Sequence, residues 1–143
     1  MSARGHYGHS LRSVNKIGCF FPVPTPYAAA AVAFRAPSGR VLLLQRAEGI
    51  PHAGAWNLPG GRPEPGETPA QTARREAWEE AGLRTPRLRW LAVLHPAFVV
   101  FAQAVPRELA PTLNAESVAA AWVDPQGPLP PMRDNLARLL RAL

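Results

Sequence analysis

The sequence predicts a single α/β domain, and three observations support this. Segments with the apolar pattern of β-strands alternate with two segments whose apolar residues recur at helical spacing. The 143 residues are enough for one core of ordinary size and leave no room for a second domain. No internal repeat is present.

The first half of the chain contains three predicted strands. Residues 27–35 and 41–46 are rich in alanine, valine and leucine, and Pro37 and Gly39 favour a turn between them. Residues 56–58 form a third, shorter strand. The following segment, 58–66, is so rich in glycine and proline that we expect a tightly held loop without regular structure.

A helix is predicted from the residue after Thr68 to the residue before Gly82. Thr68 can serve as N-cap, Pro69 suits the first helical position, and Gln71 completes a capping box. Gly82 favours a left-handed ending. A stripe of small side chains along this helix allows close packing against a sheet: Ala70, Ala73, Ala77 and Ala81.

The second half predicts three more strands and a last helix. Residues 88–95 and 97–105 are two strands with a tight connection at Pro96, and 117–123 is a further strand. Residues 132–143 form the helix. Its apolar stripe consists of Leu136, Leu139, Leu140 and Leu143.

Three glutamates of the first helix lie on one face, because Glu76, Glu79 and Glu80 are spaced i, i+3 and i+4. Like charges at this spacing repel by roughly 0.2–0.5 kcal/mol per pair on an exposed helix. A hard divalent cation with oxygen ligands would reverse that repulsion. Arg75 lies within reach of Glu67, and a bidentate pair there would fix the loop to the helix.

The segment 61–83 resembles the Nudix box, G-x5-E-x7-R-E-U-x-E-E-x-G-U, where U is apolar. Every fixed position is matched, by Gly61, Glu67, Arg75, Glu76, Ala77, Glu79, Glu80, Gly82 and Leu83. The preceding residues 56–60, W-N-L-P-G, are similar to the usual entry to this box. The resemblance implies an α/β Nudix fold, in which a mixed β-sheet lies between α-helices.

The resemblance also implies a metal-dependent pyrophosphohydrolase that uses Mg²⁺ or Mn²⁺. Glu76, Glu79 and Glu80 would be metal ligands together with the carbonyl of Gly60. Catalytic roles fall on Glu67, Arg75, Glu76 and Glu116. Glu67 either orients or deprotonates the attacking water or acts through Arg75, which is an organiser of the site.

Glu116 is expected to add a carboxylate from outside the box. It stands six residues before Trp122, a placement similar to that of the late glutamate in MutT-type enzymes. The role is either extra metal ligand or general base, and the alternative is a cap at the start of a strand. Glu108, the other glutamate in this region, is expected to be a solvated loop charge.

Six residues are candidates for substrate contacts. The aromatic rings of Tyr27 and Phe98 can stack on a base, with core packing as the alternative. His52 can reach a phosphate or be an ordinary loop histidine. Because the segment 130–136 resembles the end of MutT-type sanitising enzymes, Arg133, Asp134 or Asn135 is expected to contact the base.

Trp78 lies opposite the acidic face and off the alanine stripe. An exposed tryptophan there predicts a covering partner. The candidates are the C-terminal helix, the N-terminal extension and a second copy of the chain.

Composition suggests how the chain is organised. Residues 1–22 are expected to be a flexible, basic N-terminal extension, followed by one domain at 23–143. Cys19 is the single cysteine, which excludes an internal disulfide and fits a cytoplasmic protein. No apolar run is long enough to span a membrane, so no membrane partner is expected.

Three classes of function remain open on the sequence. The first is hydrolysis of a (d)NTP or modified nucleotide to a nucleoside monophosphate and pyrophosphate, with an ADP-ribose or nucleotide-sugar pyrophosphatase as alternative. The second is a Nudix-fold module that senses a nucleotide without cleaving it. The third is a protein that binds nucleic acid or removes the cap of an RNA, suggested by the net charge of +6. We favour the first, with a small-molecule nucleotide as substrate, no specific nucleic acid, and a monomeric or homodimeric state.

Overall fold

The fold was determined from a computed structural model that describes residues 27–143 and, in addition, the backbone of two short strands before them. The strands are β1 (Ser13–Val14), β2 (Phe20–Phe21), β3 (Ala29–Arg35), β4 (Val41–Arg46), β5 (Trp56–Asn57), β6 (Gly60–Gly61), β7 (Arg89–Leu94), β8 (Phe98–Ala104) and β9 (Ser117–Val123). The helices are α1 (Pro69–Ala81) and α2 (Asp134–Arg141).

Seven of these strands form one mixed sheet. Its main order is β5-β4-β3-β8-β7, with β6 paired to β3 and β9 paired to β4. The central strands β3 and β8 are parallel through seven residue pairs, from Ala29↔Phe98 to Arg35↔Ala104, whereas the other pairings in this sheet are antiparallel. The predicted α/β fold with a mixed sheet is confirmed.

The two helices cover opposite faces of this sheet. Along β3, Ala30, Val32 and Phe34 belong to the core that contains the alanines of α1, because successive side chains of a strand point to opposite faces. Ala31 and Ala33 belong to the second core, beneath α2. The leucines that α2 buries there are Leu136, Leu139 and Leu140. Both predicted apolar stripes therefore pack as expected.

Helix α1 begins and ends where the sequence predicts. The Gln71 N–H donates to Thr68 Oγ1 at 3.2 Å, and the Thr68 N–H donates to Gln71 Oε1 at 2.8 Å, which completes the capping box. Gly82 adopts a left-handed φ of 65°. Helix α2 starts two residues later than predicted, because the Pro131 carbonyl accepts from the Trp56 N–H at 2.9 Å and ties that segment to β5.

The prediction that 58–66 lacks regular structure is wrong at Gly60–Gly61. This pair forms β6, with Ala31 opposite Gly60 and Ala30 opposite Gly61. A Cβ on Gly60 would lie 2.4 Å from Ala31 Cβ and 2.5 Å from the Ala30 carbonyl oxygen. Two glycines do not have the sequence pattern of a strand, but the absence of a side chain permits the close approach of β6 to β3.

The predicted N-terminal extension, 1–22, falls outside the described residues except for β1 and β2, which pair antiparallel with Ser13 opposite Phe21. Cys19 is also outside them. Neither α1 nor α2, the helices of the described region, has the length and apolar character needed to cross a bilayer.

We predict that Gly60→Ala destabilises the protein by about 1–3 kcal/mol, because the new methyl group overlaps the backbone of β3. Urea unfolding followed by circular dichroism measures the change. Gly127→Ala is the matched control, since a Cβ at Gly127 meets Asp124 Cβ at an ordinary 3.5 Å. Equal unfolding midpoints for the two variants would contradict the close approach.

Candidate active site

Glu67 and Arg75 join the loop to α1 through two parallel hydrogen bonds. Arg75 Nε donates to Glu67 Oε2 at 2.7 Å, and Arg75 Nη2 donates to Glu67 Oε1 at 3.0 Å. The bidentate contact expected from the sequence is present. Arg75 lowers the pKa of Glu67 to about 2, with further stabilisation of the carboxylate by the Glu64 N–H and Thr72, against a smaller opposing effect of burial.

The other side of the Arg75 guanidinium faces the acidic residues of α1. Its Nη1 donates to Glu76 Oε1 at 2.7 Å and to Glu79 Oε1 at 3.1 Å, and its Nη2 also donates to the Arg62 carbonyl at 3.0 Å. Hydrogen bonds to Glu67 and Glu76 raise the pKa of Arg75 further above its ordinary value. Arg75 is therefore a fixed cation that connects the loop carboxylate to two carboxylates of the helix.

Glu80 is the most buried carboxylate of the acidic face, with 7% of its surface exposed. Its Oε1 accepts from the Gly60 N–H at 2.7 Å. Burial raises the pKa of Glu80 to about 8; the Gly60 N–H opposes this shift, and the charges of Glu76 and Glu116 add to it. Arg46 has a smaller opposing effect. The site thus holds a carboxyl group whose charge the protein alone does not stabilise.

Glu76 lies directly above Gly61. A Cβ on Gly61 would be 2.5 Å from Glu76 Oε2, so a side chain at this position would displace the Glu76 carboxylate. Burial raises the pKa of Glu76 although Arg75 opposes the shift, and the charges of Glu79 and Glu116 raise it further. The side chain of Glu79 is half exposed. The exposure of the three glutamates therefore ranges from buried, at Glu80, to half exposed, at Glu79.

Glu116 lies just before β9 and is exposed. Its charge contributes to the raised pKa of both Glu76 and Glu80, so it belongs to the same negative region. Locally its N–H donates to Asn114 Oδ1 at 3.0 Å, and its Oε2 accepts from Asn114 Nδ2 at 3.4 Å. Glu108 instead accepts from Ser38 Oγ at 2.8 Å, beside the β3–β4 turn.

The donor set of the acidic face suits a hard divalent cation. Glu76, Glu79 and Glu80 supply oxygen atoms, which Mg²⁺ and Mn²⁺ prefer. The raised pKa values of Glu76 and Glu80 mark negative charge that a cation would stabilise. Among residues 27–143, no three carboxylate, imidazole or thiol groups already converge as a cation cage. Glu76, Glu79 and Glu80 suit such a cation because they supply oxygen ligands and because they lie on one face of α1.

The position of Tyr27 agrees with core packing, the alternative to stacking on a base. Its ring packs against the core beneath α1, and its hydroxyl contacts Thr72 Oγ1 at 2.7 Å and the Glu67 carbonyl at 3.1 Å. Thr72, which is fully buried, is not among the site residues expected from the sequence. Its position one turn before Glu76 was the available signal.

The structure brings three of the other candidate substrate residues together. The Arg133 guanidinium lies 5.6 Å from the centre of the Phe98 ring, which is buried in the core beneath α2. Asn135 Nδ2 donates to the His95 carbonyl at 3.1 Å, and its buried Oδ1 has no hydrogen-bond partner among the described residues. His52 stands apart, exposed in the β4–β5 loop with a φ of 60°.

Trp78 is exposed over 52% of its surface, as its position on the helix predicts. The Arg84 guanidinium lies 4.5 Å from the centre of its ring. The two residues line an open cleft of about 270 Å³ together with Arg74, Leu83, Thr85 and Pro86. Because α2 covers the opposite face of the sheet, the expectation that the C-terminal helix covers Trp78 is wrong.

A family model described as NUDIX domain matches residues 24–143. Two curated relatives illustrate the similarity. The protein named "Putative 8-oxo-dGTP diphosphatase 3" from Mycobacterium tuberculosis is 46% identical over 77 residues, which cover 51% of this chain and 36% of that protein. The human 8-oxo-dGDP phosphatase NUDT18 is 39% identical over 115 residues, 75% of this chain and 35% of that protein.

These alignments span about a third of the curated relatives' length. Among solved structures, the Nudix hydrolase RenU from M. smegmatis superposes with a TM-score of 0.66 at 27% identity, covering 91% of this chain and 90% of that one. The similarity in structure therefore extends over nearly all of both chains.

We predict that Glu67→Gln loses about 2 kcal/mol of stability at pH 7, because the charged pair with Arg75 is broken. The pKa of Glu67 is lowered from 4.5 to about 2, so the unfolded chain binds the proton more readily than the native protein. The stabilisation is complete above pH 4.5 and is lost as the pH falls towards 2.

Urea unfolding of wild type and variant at several pH values between 7 and 3 tests this. The stability difference should narrow as the pH falls below 4.5. Glu64→Gln is the control, since its carboxylate is largely exposed and 3.6 Å from Arg75 Nε. A difference that is constant across this pH range would contradict the assignment.

Proposed function

The chain belongs to the Nudix family, and we propose that it hydrolyses a (d)NTP or modified nucleotide to a nucleoside monophosphate and pyrophosphate. The observation that carries this proposal is the intact acidic face, in which Arg75 holds Glu76 and Glu79 while Gly60 holds Glu80. A domain that only sensed nucleotides would have no need for this complete set. The name of the mycobacterial relative makes an oxidised purine triphosphate a leading candidate.

Divalent metal dependence is typical of the family, and here we propose Mg²⁺ or Mn²⁺. Glu76, Glu79 and Glu80 would hold it, with the Gly60 carbonyl as a further ligand. When bound, such an ion neutralises the diphosphate charge and makes a bound water more acidic. The protein's own contribution is to keep these carboxylates in place, through Arg75 on one side and the Gly60 N–H on the other.

Glu116 is proposed as the group that accepts the proton of the attacking water. The water oxygen forms a bond to one of the two phosphorus atoms of the α–β bridge, the bond from that phosphorus to the bridging oxygen breaks, and the nucleoside monophosphate and pyrophosphate separate. The closeness of Glu116 to Glu76 and Glu80, inferred from its effect on their pKa values, supports this role. Glu67 is a poor base, because its pKa is lowered to about 2, and we assign it to holding Arg75.

Recognition of the base is proposed for Asn135, Arg133 and Phe98. The buried Oδ1 of Asn135 has no hydrogen-bond partner in residues 27–143, and an amide oxygen suits an N–H donor of a purine. A cationic side chain beside an aromatic ring suits a planar ligand. Leu58, two residues before Gly60, belongs to the same core cluster as Phe98. Contacts from Tyr27 and His52 are not part of this proposal.

The setting of the reaction follows the sequence-based expectations. We propose a cytoplasmic enzyme, monomeric or homodimeric, without a membrane partner or specific nucleic acid. The basic excess of the chain, +6, attracts polyphosphate substrates over a distance.

The test is a substrate panel assayed with Mg²⁺ and with Mn²⁺. It contains the common nucleoside triphosphates, oxidised purine triphosphates, ADP-ribose, a nucleotide sugar and a dinucleoside polyphosphate. We expect release of pyrophosphate from a triphosphate and none after addition of EDTA. Cleavage of ADP-ribose alone would overturn the proposed substrate class, and no cleavage of any member would overturn the enzyme assignment.

In the same assay, Glu80→Gln should lower the rate by roughly a hundredfold or more, because even indirect supports of a metal ligand are worth 10–100-fold. The amide still accepts from the Gly60 N–H, so the variant should remain folded, as thermal unfolding will show. Glu48→Gln is the control and should keep the wild-type rate, since Glu48 is exposed in the β4–β5 loop. Undiminished hydrolysis by Glu80→Gln would refute its role as ligand.

Glu116→Gln should lower kcat by about a hundredfold with little change in KM, as expected for loss of a general base. Glu108→Gln is the matched control, since Glu108 is engaged by Ser38 and Arg40 beside the β3–β4 turn. Steady-state kinetics separate the two constants. If Glu108→Gln rather than Glu116→Gln slows turnover, the assignment of the base is wrong.

A further inference from the structure

A series of hydrogen-bonded side chains leads from Tyr27, two residues before β3, to the acidic face through two hydroxyl groups. Tyr27 Oη lies 2.7 Å from Thr72 Oγ1, and Thr72 Oγ1 donates to Glu67 Oε1 at 2.8 Å. Glu67 then binds Arg75, and Arg75 binds Glu76. Tyr27 precedes the central strand, so this chain of contacts joins the sheet to the helix.

The direction of these hydrogen bonds follows from counting hydrogens. The Glu67 carboxylate can only accept, so the single hydroxyl hydrogen of Thr72 is directed at Glu67 Oε1. Thr72 must then accept from Tyr27, whose one hydrogen is directed at Thr72 Oγ1, with the Glu67 carbonyl at the longer distance of 3.1 Å. The Thr72 hydroxyl therefore accepts from Tyr27 and donates to Glu67.

Glu67 accepts hydrogen bonds through both of its carboxylate oxygens. Its Oε1 accepts from the Glu64 N–H at 2.8 Å, from Thr72 at 2.8 Å and from Arg75 Nη2 at 3.0 Å, and its Oε2 accepts from Arg75 Nε at 2.7 Å. These bonds restrict the orientation of the Glu67 carboxylate, and the two from Arg75 set the plane of the guanidinium.

We propose that Thr72 and Tyr27 are positioning residues for the acidic face. Thr72 fixes Glu67, which fixes Arg75, which fixes Glu76, and Tyr27 orients the Thr72 hydroxyl. The catalytic part of this inference rests on the proposed function, whereas the control over Arg75 does not. Thr72 is fully buried and contacts no residue assigned to the substrate, so its effect acts through other residues.

The decisive experiment removes one hydroxyl and follows Arg75 directly. Thr72→Val keeps the shape of the side chain, and Thr72→Ser keeps the hydroxyl. The Arg75 Nε–H signal is observed by ¹⁵N NMR of the full chain, assigned by its loss in Arg75→Lys, and its exchange with water is measured. We expect exchange to accelerate about tenfold in Thr72→Val and to stay near wild type in Thr72→Ser.

Thr85→Val is the matched control. Thr85 is also a buried threonine, and its Oγ1 accepts from Arg74 Nη1 at 3.2 Å, away from Glu67. Thr85→Val should leave the exchange of the Arg75 Nε–H unchanged, even where it loses as much thermal stability as Thr72→Val does. Tyr27→Phe should accelerate exchange less than Thr72→Val, and the double variant should resemble Thr72→Val, since the two hydroxyls act in series.

Two further readouts test the consequence for the acidic face. Binding of Mn²⁺ alone, measured by EPR, should weaken about tenfold in Thr72→Val, and kcat should fall by a similar factor at constant KM. Thr72→Ser should restore both. Arg75 exchange that is unchanged in Thr72→Val, or changed equally in Thr85→Val, would overturn the inference. A wild-type chain without hydrolytic activity would overturn the proposed function but leave the exchange test decisive.

Discussion

Arg75 is the cation on which the arrangement of the acidic helix depends. In the described part of the chain it forms ion pairs with Glu64, Glu67, Glu76 and Glu79, at nitrogen–oxygen distances from 2.7 to 3.6 Å. Its planar guanidinium presents donors in a fixed fork, so the position of one partner limits the positions of the others. A lysine would supply the charge without this geometry. The loop and the helix are consequently joined through a single side chain.

The second constraint is steric. Gly60 lies against Ala31 of β3 and has no room for a Cβ, whereas a Cβ on Gly61 would displace the Glu76 carboxylate. The alanines of α1 complete this close packing, since Ala73, Ala77 and Ala81 are fully buried. Small residues on three segments thus bring Glu80 close enough to accept from the Gly60 N–H. Because the Glu80 carboxyl is buried in this packing, its pKa is raised.

Local interactions account for what the sequence could predict. The limits of α1 depend on Thr68, Gln71 and Gly82, which act within a few residues of themselves, and the acidic face follows from helical spacing. The pair of Glu67 and Arg75 lies only eight positions apart and was also predictable. These features need no knowledge of the rest of the fold.

Contacts between distant segments account for what the sequence could not predict. The strand at Gly60–Gly61 exists only because β3 lies beside it, and the hydroxyl contact of Tyr27 with Thr72 joins residues 45 positions apart. The proximity of Glu116 to the acidic face depends on how β9 pairs with β4. A motif of fixed spacing carries no information on such pairings.

The parallel pairing of β3 with β8 has a consequence for folding. Ala29 and Phe98 are roughly 70 residues apart in sequence, and the whole acidic helix with its loop lies in the segment that this pairing closes. Closure of so long a segment costs chain entropy before any contact is gained, which slows folding. A nascent chain that ends before residue 98 already contains the complete box. It still lacks the central strand beside β3, so the glutamates of the acidic helix are synthesised well before that helix can be packed against a complete sheet.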